Sequence, residues 1–129
     1  MSISLKIVTP NMTAYDHDVT EVQFPGFEGQ MGILEGHAQL LTLSKPGVVT
    51  IEGPNGTERF LIGKGFAEIT STELSLLVDV FEDIAAIDKD KAKSDLLDAE
   101  EALSRTSPSN KDYSFIADRV ALSQARVEA

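Results

Sequence analysis

Hydrophobic and polar residues alternate in short runs from residue 2 to about residue 82. Near the start, Leu5 and Ile7 flank Lys6. Because side chains at successive strand positions point to opposite faces, each such run predicts a strand with one buried side. The inward positions predicted in the other clear runs are Thr20, Val22 and Phe24, then Val49 and Ile51, then Leu74, Leu76 and Val78.

Turn signals separate these runs. The pair Asn55-Gly56 tolerates positive φ and predicts a tight hairpin between Val49–Ile51 and Arg59–Ile62. Many short strands with frequent turns, and no helical stretch between them, predict an N-terminal antiparallel β-sandwich or barrel rather than a parallel sheet with crossover helices. The remaining turn signals are Thr9-Pro10-Asn11, Pro25-Gly26 and Lys45-Pro46-Gly47.

The period changes after Ile87. Asp88 can cap a helix, because its carboxylate can accept hydrogen bonds from the free amides of the first turn. Apolar residues then follow at the spacing of one helix stripe, namely Ala92, Leu96, Ala99 and Leu103.

A second helix is predicted from about Lys111 to Val127, after the helix-stopping cluster Ser107-Pro108-Ser109-Asn110. It carries Ile116 and Val120 beside a stripe of small residues, Ala117, Ala121 and Ala125. The short connection predicts a C-terminal antiparallel two-helix hairpin. We therefore expect two domains, a sandwich at 1–86 and a hairpin at 87–129. The small apolar area of the hairpin is compatible with a weakly held, mobile element, and a static accessory is the alternative.

Charge is distributed unevenly between these segments. The formal net charge is −10, which argues against a surface that follows nucleic-acid phosphates. Residues 1–87 hold four Lys/Arg and twelve Asp/Glu, whereas residues 88–129 hold seven and nine. The acidic first segment favours a basic partner or reflects solubility alone.

Few residues offer catalytic or metal chemistry. The chain has no cysteine and two histidines, His17 and His37, without a metal-binding spacing. It has no Gly-x-Ser-x-Gly motif, so we expect no enzyme active site, no metal and no cofactor. Two rival classes stay open: a free-standing sandwich module that binds carbohydrate or peptide, and a small hydrolase with paired carboxylates.

Glycines are concentrated at 26, 29, 32 and 36. A phosphate-binding loop would need a Lys-Ser/Thr pair after the last glycine, and this chain has His37 followed by Ala38. The glycines therefore indicate tight turns and close backbone contacts. The residues themselves leave two interpretations open, a docking surface that exposes Gln30, Met31 and His37, or plain turns.

This stretch resembles the signature of ATP synthase epsilon subunits. The matching residues are Phe24-Pro25-Gly26-x-x-Gly29-x-x-Gly32-Ile33-Leu34-x-Gly36-His37-Ala38-x-Leu40-Leu41-Thr42, followed by Lys45-Pro46-Gly47, Gly65-Phe66-Ala67-Glu68-Ile69 and Ile87-Asp88. One departure is Lys64, which occupies a position where the family commonly has glycine. The larger residue argues against tight packing at this position. The resemblance covers essentially the whole chain.

The resemblance implies a non-catalytic subunit in the central stalk of an F-type ATP synthase, which couples proton transport to ATP synthesis. It implies that the sandwich binds the gamma subunit and the polar loops of the c-ring, with Gln30, Met31, Gly32 and His37 in the docking loop. Membrane association is then peripheral, on the cytoplasmic face of the bacterial inner membrane, and we expect neither a signal peptide nor a membrane-spanning helix.

The resemblance also implies a regulatory hairpin. In some relatives the hairpin extends into the catalytic alpha/beta head and slows ATP hydrolysis, for which Arg119 and Arg126 are the candidate contacts here. In others it binds ATP at the start of its first helix, where this chain has Asp88 and Lys91. Lysine replaces the family's arginine at 91 and lacks the planar bidentate guanidinium, so helix capping by Asp88 is the competing interpretation.

Overall fold

The computed structural model describes residues 2–34, 36 and 39–129. These residues form ten strands, one turn of 3-10 helix at Ile84–Ala86, and two α-helices. One compact unit runs up to Ile84 and a second comprises Ala85–Ala129. The strands are β1 Ile3–Thr9, β2 Met12–Val19, β3 Glu21–Gly26, β4 Gly29–Leu34, β5 Leu40–Ser44, β6 Gly47–Gly53, β7 Gly56–Ile62, β8 Gly65–Ile69, β9 Glu73–Val78 and β10 Phe81–Asp83; the helices are α1 Lys89–Ser104 and α2 Tyr113–Glu128.

The strands form a near-closed β-sandwich, as the alternating pattern predicts. Their order is β10-β7-β6-β3-β5-β8-β9-β1-β2, and β4 pairs with β3. Strand β3 joins the two layers, because Glu21–Gln23 pair with β6 whereas Gly26 pairs with Ser44 of β5. All pairs are antiparallel except β1 with β9, which run parallel. The predicted fold class is confirmed, with one parallel pair added.

The core lies between the layers and contains the inward positions that the alternation predicts. Leu5, Ile7, Val22, Phe24, Val49, Ile51, Leu74, Leu76 and Val78 are all buried. Thr20 is the exception. It is exposed between β2 and β3, where its amide and its hydroxyl both donate to the carbonyl oxygen of Glu52 at 2.8 Å. Between two strands, a polar side chain can form a hydrogen bond with the backbone of a neighbouring strand. Such a side chain does not need to point inward.

The hairpin between β6 and β7 forms at the predicted place, and the positive φ in its connection belongs to a glycine. Pro54 and Asn55 make the turn, and Gly53 pairs with Gly56, whose φ is +94°. Among the described residues, only glycines have positive φ, so Asn55 does not use the left-handed conformation that the Asn-Gly pair permits. A turn followed by a left-handed glycine is a common hairpin connection.

Side chains close the seam between the two ends of the strand order. Tyr15 of β2 is buried, and its hydroxyl donates to Oε1 of Glu58 on β7 at 2.9 Å. Its ring lies 5.9 Å from that of Phe60, which lies 4.7 Å from Phe81 on β10. Burial, together with the hydrogen bond to Glu58 and the charge of Glu58, raises the pKa of Tyr15 to about 12.

Replacing Tyr15 with phenylalanine is expected to lower the free energy of unfolding by about 1 kcal/mol at pH 8, because the bond to Glu58 is lost. The folded-state pKa lies above the unfolded value of about 10. The stabilisation is therefore complete below pH 10 and is lost as pH rises towards 12. Urea unfolding of wild type and Tyr15→Phe from pH 8 to 11.5 should show a difference in the free energy of unfolding that narrows above pH 10.

Tyr113→Phe on α2 is the control for removing a hydroxyl group elsewhere, and it should leave the stability of the sandwich unchanged. A difference between wild type and Tyr15→Phe that is absent at pH 8, or that stays constant up to pH 11.5, would show that the Tyr15 hydroxyl does not hold the seam.

The second unit is an antiparallel pair of helices. Asp88 caps α1 as predicted, since its Oδ1 accepts from the amides of Asp90 and Lys91, both at 3.1 Å. Helix α1 ends at Ser104, and α2 begins at Tyr113, two residues later than predicted. The predicted α1 stripe faces inward, with two members buried and two half-buried: Ala92, Ala99, Leu96 and Leu103.

The packed face of α2 differs in part from the prediction. Ala121, predicted in a small-residue stripe, is exposed, although Ala125 is buried. The less exposed positions include a stripe at i, i+4, i+7 and i+11, namely Ile116, Val120, Ser123 and Val127. Ala121 lies one residue, about 100°, around the helix from Val120, which turns it away from this face.

Candidate functional site

The glycine-rich stretch forms the β3–β4 hairpin. Phe27 and Glu28 make its turn, and Gly26 pairs with Gly29, whose φ is +136°. Gly26 has no room for a side chain, because a Cβ there would lie 2.8 Å from Cγ of Met31 and 2.9 Å from the oxygen of Gly29. Pro25-Gly26, predicted as a turn, is instead the end of β3, and the turn follows it.

The predicted docking residues lie in a strand, not in a loop. Gln30, Met31 and Gly32 belong to β4 and pair with Pro25, Phe24 and Gln23. Gln30 and Gly32 are exposed, whereas Met31 is half-buried and packs against the core. The expectation that Met31 is exposed is wrong because strand alternation turns it inward with Ile33. His37 lies outside the described residues.

An open cleft of about 430 Å³ adjoins the tip of this hairpin. The ammonium of Lys45 lies 5.8 Å from the centroid of the Phe27 ring, within the range of a cation–π contact. A second cleft, of about 480 Å³, shares Leu40 with the first and extends to Glu68 on β8. The first cleft is lined by Phe27, Glu28, Gly29, Gln30, Met31, Leu40 and Thr42.

An exposed apolar row crosses the outer face of four strands, and the sequence reasoning missed it. Leu43 of β5 pairs with Phe66 of β8, Phe66 with Leu77 of β9, and Leu77 with Val8 of β1. Leu43, Phe66 and Leu77 are 44%, 54% and 48% exposed. Three gaps between strands make the row about 15 Å long. We call Leu43, Phe66, Leu77 and Val8 the apolar row.

The next row on the same face is largely polar. Leu41, 68% exposed, pairs with Glu68, which pairs with Ser75, and Ser75 pairs with Lys6. The sequence held a signal for this surface in the run Leu40-Leu41-Thr42-Leu43, where apolar residues occupy both faces of one strand. Such a strand in a small sandwich has apolar side chains facing outward, a feature typical of interaction surfaces.

The residues of the predicted nucleotide site serve local structure. The Asp88 carboxylate caps α1, and its oxygen atom already accepts two backbone amides. Lys91 is exposed in the first turn of that helix.

The two predicted inhibitory arginines lie on α2. Arg119 is exposed, and Arg126 is half-buried in the last turn. The backbone oxygen of Arg126 accepts a hydrogen bond from Nζ of Lys89 at 3.1 Å. From their positions in the sequence, Arg119 and Arg126 lie nearly two turns apart along α2.

Two properties of the described part of the chain bear on chemistry and on membranes. Within it, no three His, Asp or Glu side chains are grouped closely enough to hold a metal ion. Neither α1 nor α2, nor any other helix in that part, is long and apolar enough to cross a membrane.

Solved structures of similar fold come from ATP synthases. One chain of the Euglena gracilis mitochondrial enzyme, in a structure of OSCP, F1 and the c-ring, superposes with a TM-score of 0.81 at 21% identity, over 96% of this chain and 78% of that one. A chain of the central stalk and c-ring structure from Tetrahymena thermophila gives 0.67 at 15% identity, over 98% and 97%. At these identities the likeness concerns the fold.

Sequence relatives extend the likeness beyond the fold. The ATP synthase epsilon chain of Gloeothece citriformis (strain PCC 7424) is 35% identical over 126 residues, which is 98% of this chain and 91% of that one. The chloroplastic epsilon chain of Pyropia yezoensis is 34% identical over 129 residues, 100% and 96%. The family described as ATP synthase, Delta/Epsilon chain, beta-sandwich domain matches residues 2–84. The chain therefore belongs to the epsilon-chain family of F-type ATP synthases.

Proposed function

We propose that this chain is a non-catalytic subunit of the rotor of an F-type ATP synthase, where it couples proton transport through the c-ring to ATP synthesis. The observation that carries the proposal is the apolar row, a line of exposed large side chains on the outer face of the sheet. A monomer rarely exposes a contiguous apolar surface without a partner for it. Membership of the epsilon-chain family supports a partner within the ATP synthase complex.

The gamma subunit is the proposed partner of the apolar row. Phe66 lies between Leu43 and Leu77 in register, so a partner that covers the row removes three large side chains from water together. Burying one such side chain fully contributes about 1.5–3 kcal/mol. The polar row beside it, with Glu68 and Lys6, would form the hydrated rim of the interface.

The polar loops of the c-ring are the proposed partner of the β3–β4 hairpin. Gln30 and Gly32 are exposed on β4, and Phe27 and Glu28 are exposed at the tip. The excess of acidic residues in 1–87 suits basic side chains on those loops. Met31 supports this surface from the core side, and His37 is retained in the proposal from the family signature alone.

The two-helix unit is the proposed regulatory part. Extension of this hairpin towards the catalytic alpha/beta head would bring Arg119 and Arg126 to acidic groups there and slow ATP hydrolysis. Exposed Arg119 suits such a contact, whereas the rest of the exposed surface of α2 carries little positive charge, so the inhibition would be modest. ATP is not proposed as a ligand, because Asp88 already serves as a helix cap.

The same proposal covers location and chemistry. A subunit held through gamma and the c-ring is a peripheral membrane protein, and a bacterial inner membrane with the chain on its cytoplasmic face suits this assignment. It acts without an active site, a metal or a cofactor of its own.

Adding the chain back to an ATP synthase head depleted of its epsilon subunit tests this function. The whole chain and a chain ending at Ile87 are each expected to bind, because the sandwich has its own core. The whole chain should lower the rate of ATP hydrolysis, and the shortened one should bind without lowering it. If the whole chain binds without slowing hydrolysis, the subunit couples the rotor but does not inhibit the enzyme. If neither the whole chain nor the shortened chain binds, the rotor assignment is contradicted.

A further inference from the structure

One lysine connects the two ends of the helical hairpin. The ammonium of Lys89, at the first position of α1, donates to the backbone oxygen of Arg126 at 3.1 Å and to that of Val127 at 3.0 Å. It also donates to the backbone oxygen of Ala129. An ammonium has three N–H donors, and each of them therefore has an acceptor at the end of α2.

The acceptors lie in the last turn of α2. The last four carbonyl groups of an α-helix have no partner within the helix, and they carry the negative end of its dipole. A cation at that end is stabilising, and a lysine can bond the free carbonyls directly. Lys89 supplies this cap from the neighbouring helix, across 37 residues of sequence in the case of Arg126.

Lys89 is also unfavourably placed within its own helix. Position one of α1 lies at the positive end of the helix dipole, where acidic residues are favoured and a cation is not. Asp88 and Asp90, on either side of Lys89, follow that preference. The dipole of its own helix therefore does not favour the lysine, and its half-buried side chain reaches α2.

The packing between the helices makes this contact important. Few side chains of the hairpin are fully buried, and they are small: Ala92 and Ala99 on α1, with Ser123 and Ala125 on α2. Small side chains bury little apolar area, so they hold the pair only weakly. The connection 105–112 ties the helices at one end, and Lys89 ties them at the other.

We propose that Lys89 is the latch of the hairpin, a contact that keeps α2 on α1 and must break before α2 can swing away. This inference deepens the regulatory role proposed above and rests on it for its consequence in the enzyme. The latch itself is a property of the chain alone. Its strength contributes to the fraction of molecules with an open hairpin, and a partner that binds the open form better shifts this equilibrium.

Hydrogen–deuterium exchange of the full-length chain tests the latch. Lys89→Met keeps the length of the side chain and removes its donors. We expect exchange of amides 120–128 to rise about tenfold, which corresponds to about 1.4 kcal/mol. Lys93→Met, at an exposed lysine one turn further along α1, should raise it less than twofold, and amides of the sandwich should not change in either variant.

Equal exchange of the last turns of α2 in Lys89→Met and Lys93→Met would overturn the latch. The regulatory consequence is measured separately, as the rate of ATP hydrolysis by the epsilon-depleted head at a saturating concentration of the chain. Lys89→Met should slow hydrolysis at least twofold more than Lys93→Met. If α2 opens in Lys89→Met and hydrolysis is unchanged, the latch stands and its regulatory role is overturned. Loss of binding by wild type would instead contradict the proposed function, with the exchange result intact.

Discussion

Replacing Gly65 with alanine should lower the free energy of unfolding of the sandwich by about 3 kcal/mol or more, at the high end for overpacking. A Cβ at this position would lie 1.8 Å from the carbonyl oxygen of Leu77 and 2.9 Å from Cα of Val78. Both contacts are with backbone atoms of β9, so no side chain can rotate away. The two strands must move apart at the end of their ladder, where Gly65 pairs with Val78. Urea unfolding followed by circular dichroism measures the loss.

Gly32→Ala is the matched control for this prediction. Its new Cβ would meet Cγ of Gln23 at 3.9 Å, an ordinary contact, and its φ is not positive. We expect a change in stability within about 0.5 kcal/mol. Equal stability of the two variants would show that β8 and β9 are not held at this separation in solution. The neighbouring Lys64 is exposed, and the tight contact with Leu77 is made by Gly65.

Phe66→Asp should weaken binding to the epsilon-depleted head by about 30-fold or more, since a central aromatic contact at an interface contributes about 2 kcal/mol or more. Phe66 is the best candidate because it has an apolar neighbour on each side, Leu43 and Leu77. The side chain is 54% exposed, so the variant should keep its fold. Titration with labelled chain gives the affinity, and circular dichroism checks the fold.

Leu34→Asp separates loss of this surface from a general effect of adding charge. Leu34 is 57% exposed at the end of β4, in the surface assigned to the c-ring. A head without its c-ring should therefore bind Leu34→Asp with an affinity within about threefold of that of wild type. This difference is smaller than a tenfold change in affinity, which corresponds to about 1.4 kcal/mol. If Phe66→Asp binds as tightly as wild type, the apolar row does not contact the head.

The fold class could be predicted from the sequence because it depends on local patterns. Period-two runs at Leu5–Ile7 and Leu74–Val78 identify strands whichever strand they pair with, and their inward residues are buried as predicted. The Asp88 cap is equally local, because a carboxylate reaches amides two and three residues ahead. Patterns of this range need no knowledge of the tertiary arrangement.

Contacts between distant residues could not be predicted in this way. The parallel pairing of β1 with β9 joins Leu5 to Leu74, and nothing in either strand specifies its neighbour. The Tyr15–Glu58 bond across the seam depends equally on closure of the whole sheet. Lys89 reads from sequence as a solvated lysine at a helix start, and its role becomes visible once the end of α2 lies beside it.

The glycine-rich stretch forms a hairpin, and its use as a docking surface stays a prediction. The glycine spacing locates the β3–β4 turn, but a docking loop was expected where β4 continues, and Met31 turns inward. The apolar row was missed because alternation assigns one buried face to each strand. Leu43 and Phe66 break that pattern in a way that indicates a partner, and the sequence alone does not say that they are neighbours.

Rotation of the chain within a working enzyme tests the rotor assignment most directly. The sequence has no cysteine, so Asn55→Cys, at the exposed β6–β7 turn, can carry a single fluorophore. Head complexes containing this chain are immobilised through their catalytic subunits, and the fluorescence polarisation of single molecules is followed during ATP hydrolysis. We predict that the label turns in one direction through complete revolutions. A label that stays fixed while gamma rotates in the same molecules would contradict the assignment.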